Sequence, residues 1–300
     1  MRVAVVDLGT NSTRLLVADV RDGSVFELER RTRVTRLGAA VEATGRLSDA
    51  AVGRVHAALA AYRRRIGRHA PERILALATS AVRDAANGER FLRDLHELFG
   101  VDARVISGEE EARLTFLGAT AGRDDHDSEV MVIDIGGGST EFVVGRPGEG
   151  PRFHSSTPLG SVRHTERNLE LEALSLDARR IIESKVPAEL RREVTTGIAV
   201  AGTPTSLAAI ELELDPYDAE RVHGHLLALG SCRRMLERLA SLPLDERRRV
   251  TGLHPDRAPT IVAGATILVC AMEAFGLRSI EVSEADLLHG TALDAWAQRA

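Results

Sequence analysis

Val3-Ala4-Val5-Val6-Asp7-Leu8-Gly9-Thr10-Asn11-Ser12-Thr13-Arg14 and Val130-Met131-Val132-Ile133-Asp134-Ile135-Gly136-Gly137-Gly138-Ser139-Thr140-Glu141 are two copies of one pattern. Laid over each other at an offset of 127, they share six of twelve residues. An internal repeat reports architecture before any single motif does. In both copies a short apolar run, suited to a buried strand, ends in an aspartate and breaks into small and hydroxylated residues. Such a break builds a phosphate-gripping turn. Glycine lets the backbone bring several N–H groups up to an anion, Ser and Thr add hydroxyl donors, and the strand-end aspartate can hold a cation or a water beside the phosphate. Gly136, Gly137 and Gly138, followed by Ser139 and Thr140, make the second turn the stronger claim. Asn11 and Ser12 are the matching donors of the first.

Three hundred residues with 44% hydrophobic content suffice for about two domains with sizeable cores. The apolar start is cut by Asp7, and the longest later apolar run, Ile261 to Met272, is too short to span a bilayer. A cytoplasmic protein is expected. Cys232 and Cys270 are far apart and lack Cys-His spacing, so neither a disulfide framework nor a zinc site is supported. A net charge of −5 argues against nucleic-acid or membrane-surface binding. Any polyanion must be met by local charge. Lys185 follows serine rather than glycine, which excludes a Walker-type loop. The runs Arg63-Arg64-Arg65 and Arg247-Arg248-Arg249 read as solvated helix faces.

Beyond the first turn, Leu15 to Val20, Asp22-Gly23 and Val25 onward read as strand, hairpin turn and strand. Ser48 caps a helix with Val52, Val55, Leu59, Tyr62 and Ile66 on one stripe. Strand Ile74–Ala78, helix Gly88–Phe99, strand Ala103–Ile106 and helix Glu109–Thr120 complete a βββαβαβα order. Gly122 to Ser128 suits a linker, with the domains divided as 1–125 and 126–300. After it the order restarts, with strands at Val130–Ile135, Phe142–Val144 and Phe153–Ser156. Helical pattern then fills Val162 to Leu190, followed by strand Ile198–Ala201, helix Thr203–Leu212, a helical insertion from Leu226 to Val250 and helix Pro259–Phe275. Strand Ile280–Val282 and a closing helix, Asp286–Gln298, which packs back on the first lobe, end the chain. Two such halves imply an α/β molecule with an active-site cleft between lobes.

Five further motifs accompany the turns: Ala78-Thr79-Ser80-Ala81-Val82-Arg83, Ile106-Ser107-Gly108-Glu109-Glu110-Glu111-Ala112-Arg113, Pro158-Leu159-Gly160-Ser161-Val162-Arg163, Ala201-Gly202-Thr203 and Asp256-Arg257. With them the whole chain resembles the actin, sugar-kinase and heat-shock-chaperone superfamily. Within that superfamily it resembles the Ppx/GppA family of exopolyphosphatases and guanosine pentaphosphate phosphohydrolases. The resemblance implies two duplicated ribonuclease-H-like lobes. It also implies metal-dependent hydrolysis of terminal phosphoanhydride bonds of inorganic polyphosphate, with Mg²⁺ or Mn²⁺ as cofactor, and a homodimer. Guanosine pentaphosphate is the alternative substrate; a small-molecule kinase and a non-catalytic polyphosphate or alarmone sensor are more distant readings.

Phosphoanhydride hydrolysis needs an oriented water, a base, a divalent ion and fixed donors. By resemblance Glu111, immediately before Ala112-Arg113, is the base, with Glu109 and Glu110 exposed at the helix start, where negative charge is favoured. Arg14 and Glu141 hold equivalent positions with opposite charge. The first turn is therefore expected to bind anion, and the second, through Asp134 and Glu141, Mg²⁺ or its waters. The family places a metal-linked Asp and Glu there, and Asp7 is a further candidate ligand. Arg83 and Arg257 correspond to family arginines that contact phosphates. Gly202-Thr203 before a helix offers another anion site. Arg113 and Arg163 suit carboxylate pairing as well as substrate, and His223-Gly224-His225 reads as structural. The chain departs from the family at Leu288-His289, where Arg-Glu is usual before Gly290. Longer members carry an additional helical domain that is not expected here, so a shorter grip on long polyphosphate is expected.

Overall fold

The alternation of the first strand shows how the chain is layered. Val3 and Val5 pack on one face of a sheet, and Ala4, Val6 and Leu8 pack on the other. A strand covered on both faces must be apolar, as this one is from Val3 to Val6. The computed structural model of the chain describes residues 1–123 and 128–299. They form two units, Met1–Gly122 with Leu287–Ala300, and Arg123–Asp286. The boundary expected between residues 125 and 126 lies outside the described residues.

The first unit runs β1 (Arg2–Leu8), β2 (Ser12–Arg21), β3 (Ser24–Val34), α1 (Val41–Thr44), α2 (Asp49–His69), β4 (Arg73–Ala78), α3 (Ser80–Asp84), α4 (Gly88–Phe99), β5 (Ala103–Val105) and α5 (Gly108–Thr120). Its sheet order is β3-β2-β1-β4-β5, antiparallel across the first three strands and parallel from β1 outward. Ser48 caps α2 by accepting from the Ala51 N–H, and left-handed Gly100 closes α4. α2 and α4 cover one face of the sheet.

The second unit runs β6 (Val130–Ile135), β7 (Thr140–Arg146), β8 (Gly150–Thr157), α6 (Ser161–Glu166), α7 (Leu171–Lys185), α8 (Ala188–Glu193), β9 (Thr196–Val200), α9 (Gly202–Glu211), α10 (Ala219–Val222), β10 (Leu226–Ala228), α11 (Leu229–Ser241), α12 (Leu244–Arg247), a 3₁₀ turn at Pro255–Arg257, α13 (Ile261–Ala274) and β11 (Ser279–Val282). Its order, β10-β11-β9-β6-β7-β8, repeats that of the first sheet with β10 added at the edge. The closing helix, α14 (Leu287–Ala297), lies with the first unit, where Leu288, Ala292 and Leu293 cover the face opposite α2. The fold is thus a duplicated α/β architecture of ribonuclease-H-like lobes.

Two helical expectations need correction. The stretch from Val162 to Leu190 is three helices, broken where Asn168 takes a φ of 50° and where Pro187 forces Val186 out of helical geometry. The insertion expected from Leu226 opens with β10, which pairs antiparallel with β11. Arg247 is not part of a solvated face either: it is half-buried and donates to the carbonyls of Leu239, Leu242 and Ala258. Both cysteines are buried thiols.

Candidate active site

The repeat survives at the level of single hydrogen bonds. In β1–β2 the register pairs Asp7 with Arg14, and in β6–β7 it pairs Asp134 with Glu141. The Gly9 N–H donates to the Ser12 carbonyl at 3.0 Å, and the Gly136 N–H to the Ser139 carbonyl at 2.9 Å. One hairpin turn has been built twice.

Each turn is held by its carbonyls. In the first, Thr10 accepts from Gly38, and Asn11 from the backbone N–H groups of Thr35 and Arg36. In the second, Gly136 accepts from the Ser161 N–H, Gly137 from Val162 and Arg163, and Gly138 from the Arg163 Nε at 2.8 Å. Across a trans peptide the N–H points opposite the preceding carbonyl. The N–H groups of Asn11 and Ser12, and those of Gly137, Gly138 and Ser139, therefore turn away from these anchoring segments, as donors to an anion must. Gly160 has to be glycine here, because a Cβ would come within 2.3 Å of the Gly137 carbonyl oxygen. The Thr140 hydroxyl is fully buried and donates to the Leu159 carbonyl. His164, on α6, sets Nδ1 against the backbone of Gly160 and lies 3.5 Å from Asp177. Burial lowers its pKa below the usual 6.5.

In the first turn Arg14 donates through Nε to Asp7 Oδ2 at 2.8 Å, and both side chains are largely buried. The Asn11 side-chain oxygen is buried without a hydrogen-bond partner among the described residues. Thr10 shares a hydrogen bond with Ser80, which fixes the turn to α3 and so places Arg83. Arg83 Nη1 donates to the Ile106 carbonyl at 2.8 Å and lies 3.4 Å from Glu111 Oε2. Glu111 is 7% exposed, in the first turn of α5, whose N-cap Ser107 accepts from the Glu110 N–H. Glu110, expected to be exposed at the helix start, is partly buried: Arg104 grips it bidentately and lowers its pKa. Arg113 pairs with Asp294.

In the second turn Asp134 and Glu141 are 7% and 1% exposed and directly opposed, and Ser156 donates to Glu141 at 2.8 Å. Like charges opposite each other in a sheet are unfavourable unless a cation or a proton offsets them. Carboxylate oxygens are also the hard donors that a divalent ion takes. Among the described residues no three His, Cys, Asp or Glu side chains gather to hold a metal alone. Mg²⁺ needs no such cage, since it takes one or two carboxylates and completes its shell with water and phosphate oxygens. At the start of α9 a Cβ on Gly202 would fall 1.4 Å from Arg257 Nη1, so the guanidinium rests directly on that glycine. Thr203 is buried against Gly264, and Ala201 before them takes a φ of 72°. His223 and His225 contact Glu284 and Glu211. Leu288 is buried in the core, and His289 bonds Glu27.

Two ribonuclease-H-like units, each ending its first strand in an aspartate and a glycine- and hydroxyl-rich turn, define a phosphate-handling protein of the duplicated actin-like class. The chain matches the Ppx/GppA phosphatase family over residues 16–298 and belongs to that family. It is 35% identical to exopolyphosphatase 2 of Mycobacterium tuberculosis over 97% of this chain and 98% of that one. Among solved structures, it is similar to the Aquifex aeolicus member of the Ppx/GppA family, with 31% identity, a TM-score of 0.83, and coverage of 99% of this chain and 98% of that one. An exopolyphosphatase-like protein matches with 32% identity, a TM-score of 0.91 and 100% coverage of both chains. Among the described residues no helix is long and apolar enough to cross a membrane.

Proposed function

We propose that the chain is an exopolyphosphatase, which hydrolyses the terminal phosphoanhydride of inorganic polyphosphate and releases orthophosphate. The observation that carries this reading is the 35% identity to exopolyphosphatase 2 over nearly the full length of both chains. Glu111 is the general base, accepting the proton of the attacking water. Arg83, 3.4 Å away, holds the phosphate under attack beside it. In the turns at Asn11–Ser12 and Gly136–Thr140, the backbone N–H groups of Asn11, Ser12, Gly137, Gly138 and Ser139 donate to phosphate oxygens, and the start of α9 at Gly202–Thr203, with Arg257, adds a further grip. Asp7 holds the Arg14 guanidinium at the first turn, where it would meet a phosphate oxygen. Asp134 and Glu141, with Asp7 as a further candidate, would hold Mg²⁺ or Mn²⁺, which when bound neutralises charge on the phosphates. By family resemblance the protein is a cytoplasmic homodimer, which light scattering would check.

Orthophosphate release should be measured side by side from long-chain polyphosphate, tripolyphosphate and guanosine pentaphosphate. Polyphosphate should be the preferred substrate, activity should vanish with chelator, and Asp134→Asn should raise the Mg²⁺ concentration needed. Turnover confined to guanosine pentaphosphate would overturn the substrate, and full activity in chelator would overturn the metal.

A further inference from the structure

Four of the seven residues from Arg30 to Arg36 are arginine and none is acidic, in a chain of net charge −5. They form the end of edge strand β3 and the loop beyond it. The register sets Arg33 opposite Thr13 and Arg31 opposite Leu15, and the Arg36 N–H bonds the Asn11 carbonyl of the first turn at 2.8 Å. The arginine run therefore begins at the turn and leads away from it.

Directly opposed residues share a face of the sheet. Leu15 and Val17 pack in the core under α2 with Leu59, Tyr62 and Ile66, so Arg33 and Arg31 lie on that side, at its open edge. α2 adds Arg54, whose Nε donates to the Thr35 carbonyl at 2.6 Å, and Arg65, which bonds Glu29. Arg31 and Arg33 are exposed. Burial pushes the Tyr62 hydroxyl up to about 12, opposed by Arg33, Arg31, Arg14 and Arg65, so four guanidinium groups act on one side chain. Charged residues guard an edge strand against pairing, yet that purpose is served by either sign. Here a single carboxylate, Glu29, is shared by Arg31, Arg65 and His69.

We infer that the row Arg36, Arg54, Arg33, Arg31 and Arg65 is a binding track for the distal phosphates of a linear polyphosphate whose reacting end is held at the turn. The inference rests on the exopolyphosphatase reading. A single-stranded nucleic acid would ask for aromatic faces on which to stack its bases, and Arg30 to Arg36 carries none. Bare phosphate oxygens need only cations. The track lengthens a grip that the sequence alone read as short.

The test is Arg31→Glu with Arg33→Glu, set against Arg63→Glu with Arg64→Glu on the exposed face of α2 as a charge-matched control. Michaelis constants for long-chain polyphosphate and tripolyphosphate are measured across salt concentrations. For the long chain the constant should rise about tenfold, as two surface charge contacts are lost. Its salt slope should fall by about two. The tripolyphosphate constant, both turnover numbers and the control should stay at parental values. Arg31→Gln with Arg33→Gln should show the same pattern more weakly, which covers any folding defect of the charge reversal. An equal loss at both chain lengths, or the same loss in the control, overturns the track. A greater loss of single-stranded RNA binding than of polyphosphate binding also overturns it, by reassigning the row. If the parent hydrolyses no polyphosphate, the functional reading fails. Long-polyphosphate binding then decides the track, which stands if the double variant loses binding and falls if binding is equal.

Discussion

Gly202→Ala separates the seat of Arg257 from the stability of the fold. The new Cβ would lie 1.4 Å from Nη1, 2.2 Å from Cζ and 2.5 Å from Nη2 of Arg257, so the guanidinium must leave its place. All three atoms belong to the tip of a flexible side chain, which can swing aside at little cost. Alanine also loses less conformational freedom than glycine on folding, by roughly 0.4–1 kcal/mol where the backbone suits it. The melting temperature should therefore hold or rise slightly. Activity should fall: a charge-assisted phosphate contact is worth roughly 1.5–3 kcal/mol, which corresponds to about 10- to 150-fold in kcat/KM. The assay is the initial rate of orthophosphate release from long-chain polyphosphate by the parent, Gly202→Ala, Arg257→Ala and the double variant. Because both changes act through one guanidinium, the double variant should be no slower than Arg257→Ala. Parental kcat/KM in Gly202→Ala, or losses that multiply in the double variant, would refute the reasoning.

Glu111→Gln should lower turnover by about two to four orders of magnitude with substrate affinity nearly intact; near-normal turnover in steady-state kinetics would remove Glu111 as the base. Gly290→Ala should destabilise by roughly 1–3 kcal/mol or more, an overpacking cost, because its Cβ would meet the Leu114 carbonyl oxygen of α5 at 1.7 Å. A parental denaturation midpoint would contradict that close approach of α14 to α5. His164 takes up a proton less readily folded than unfolded, since burial lowers its pKa from 6.5. Above pH 6.5 both states are neutral there, and stability should fall as pH drops below that value. His164→Gln should flatten this slope in denaturation curves taken across the range, and an unchanged slope would assign the proton uptake elsewhere.

The duplicated hairpins were legible because strand alternation and turn chemistry are local and were written twice. β10 was not: Leu226-Leu227-Ala228 is too short to show a period, and it becomes a strand only by pairing with β11. The breaks after α6 and α7 had local signals in Asn168 and Pro187, which the apolar spacing masked. Among the site residues, Glu111 and Arg83 came from separate motifs, and only the fold sets them 3.4 Å apart. Gly202 and Arg257 likewise stood as independent candidates until the missing Cβ of one proved to be the resting place of the other. Ser80 and Gly160 sat inside quoted motifs without an assigned role, because their partners, Thr10 and the Gly137–Gly138 backbone, are distant in sequence.

In the proposed mechanism, water attacks the terminal phosphorus of a polyphosphate chain. Hydrolysis in oxygen-18 water during the first turnovers tests this most directly, with the released orthophosphate and the shortened chain analysed separately by mass spectrometry. The label should enter the orthophosphate, one atom per molecule released, and be absent from the remaining chain. Label in the shortened chain, or release of unlabelled orthophosphate, would contradict the account.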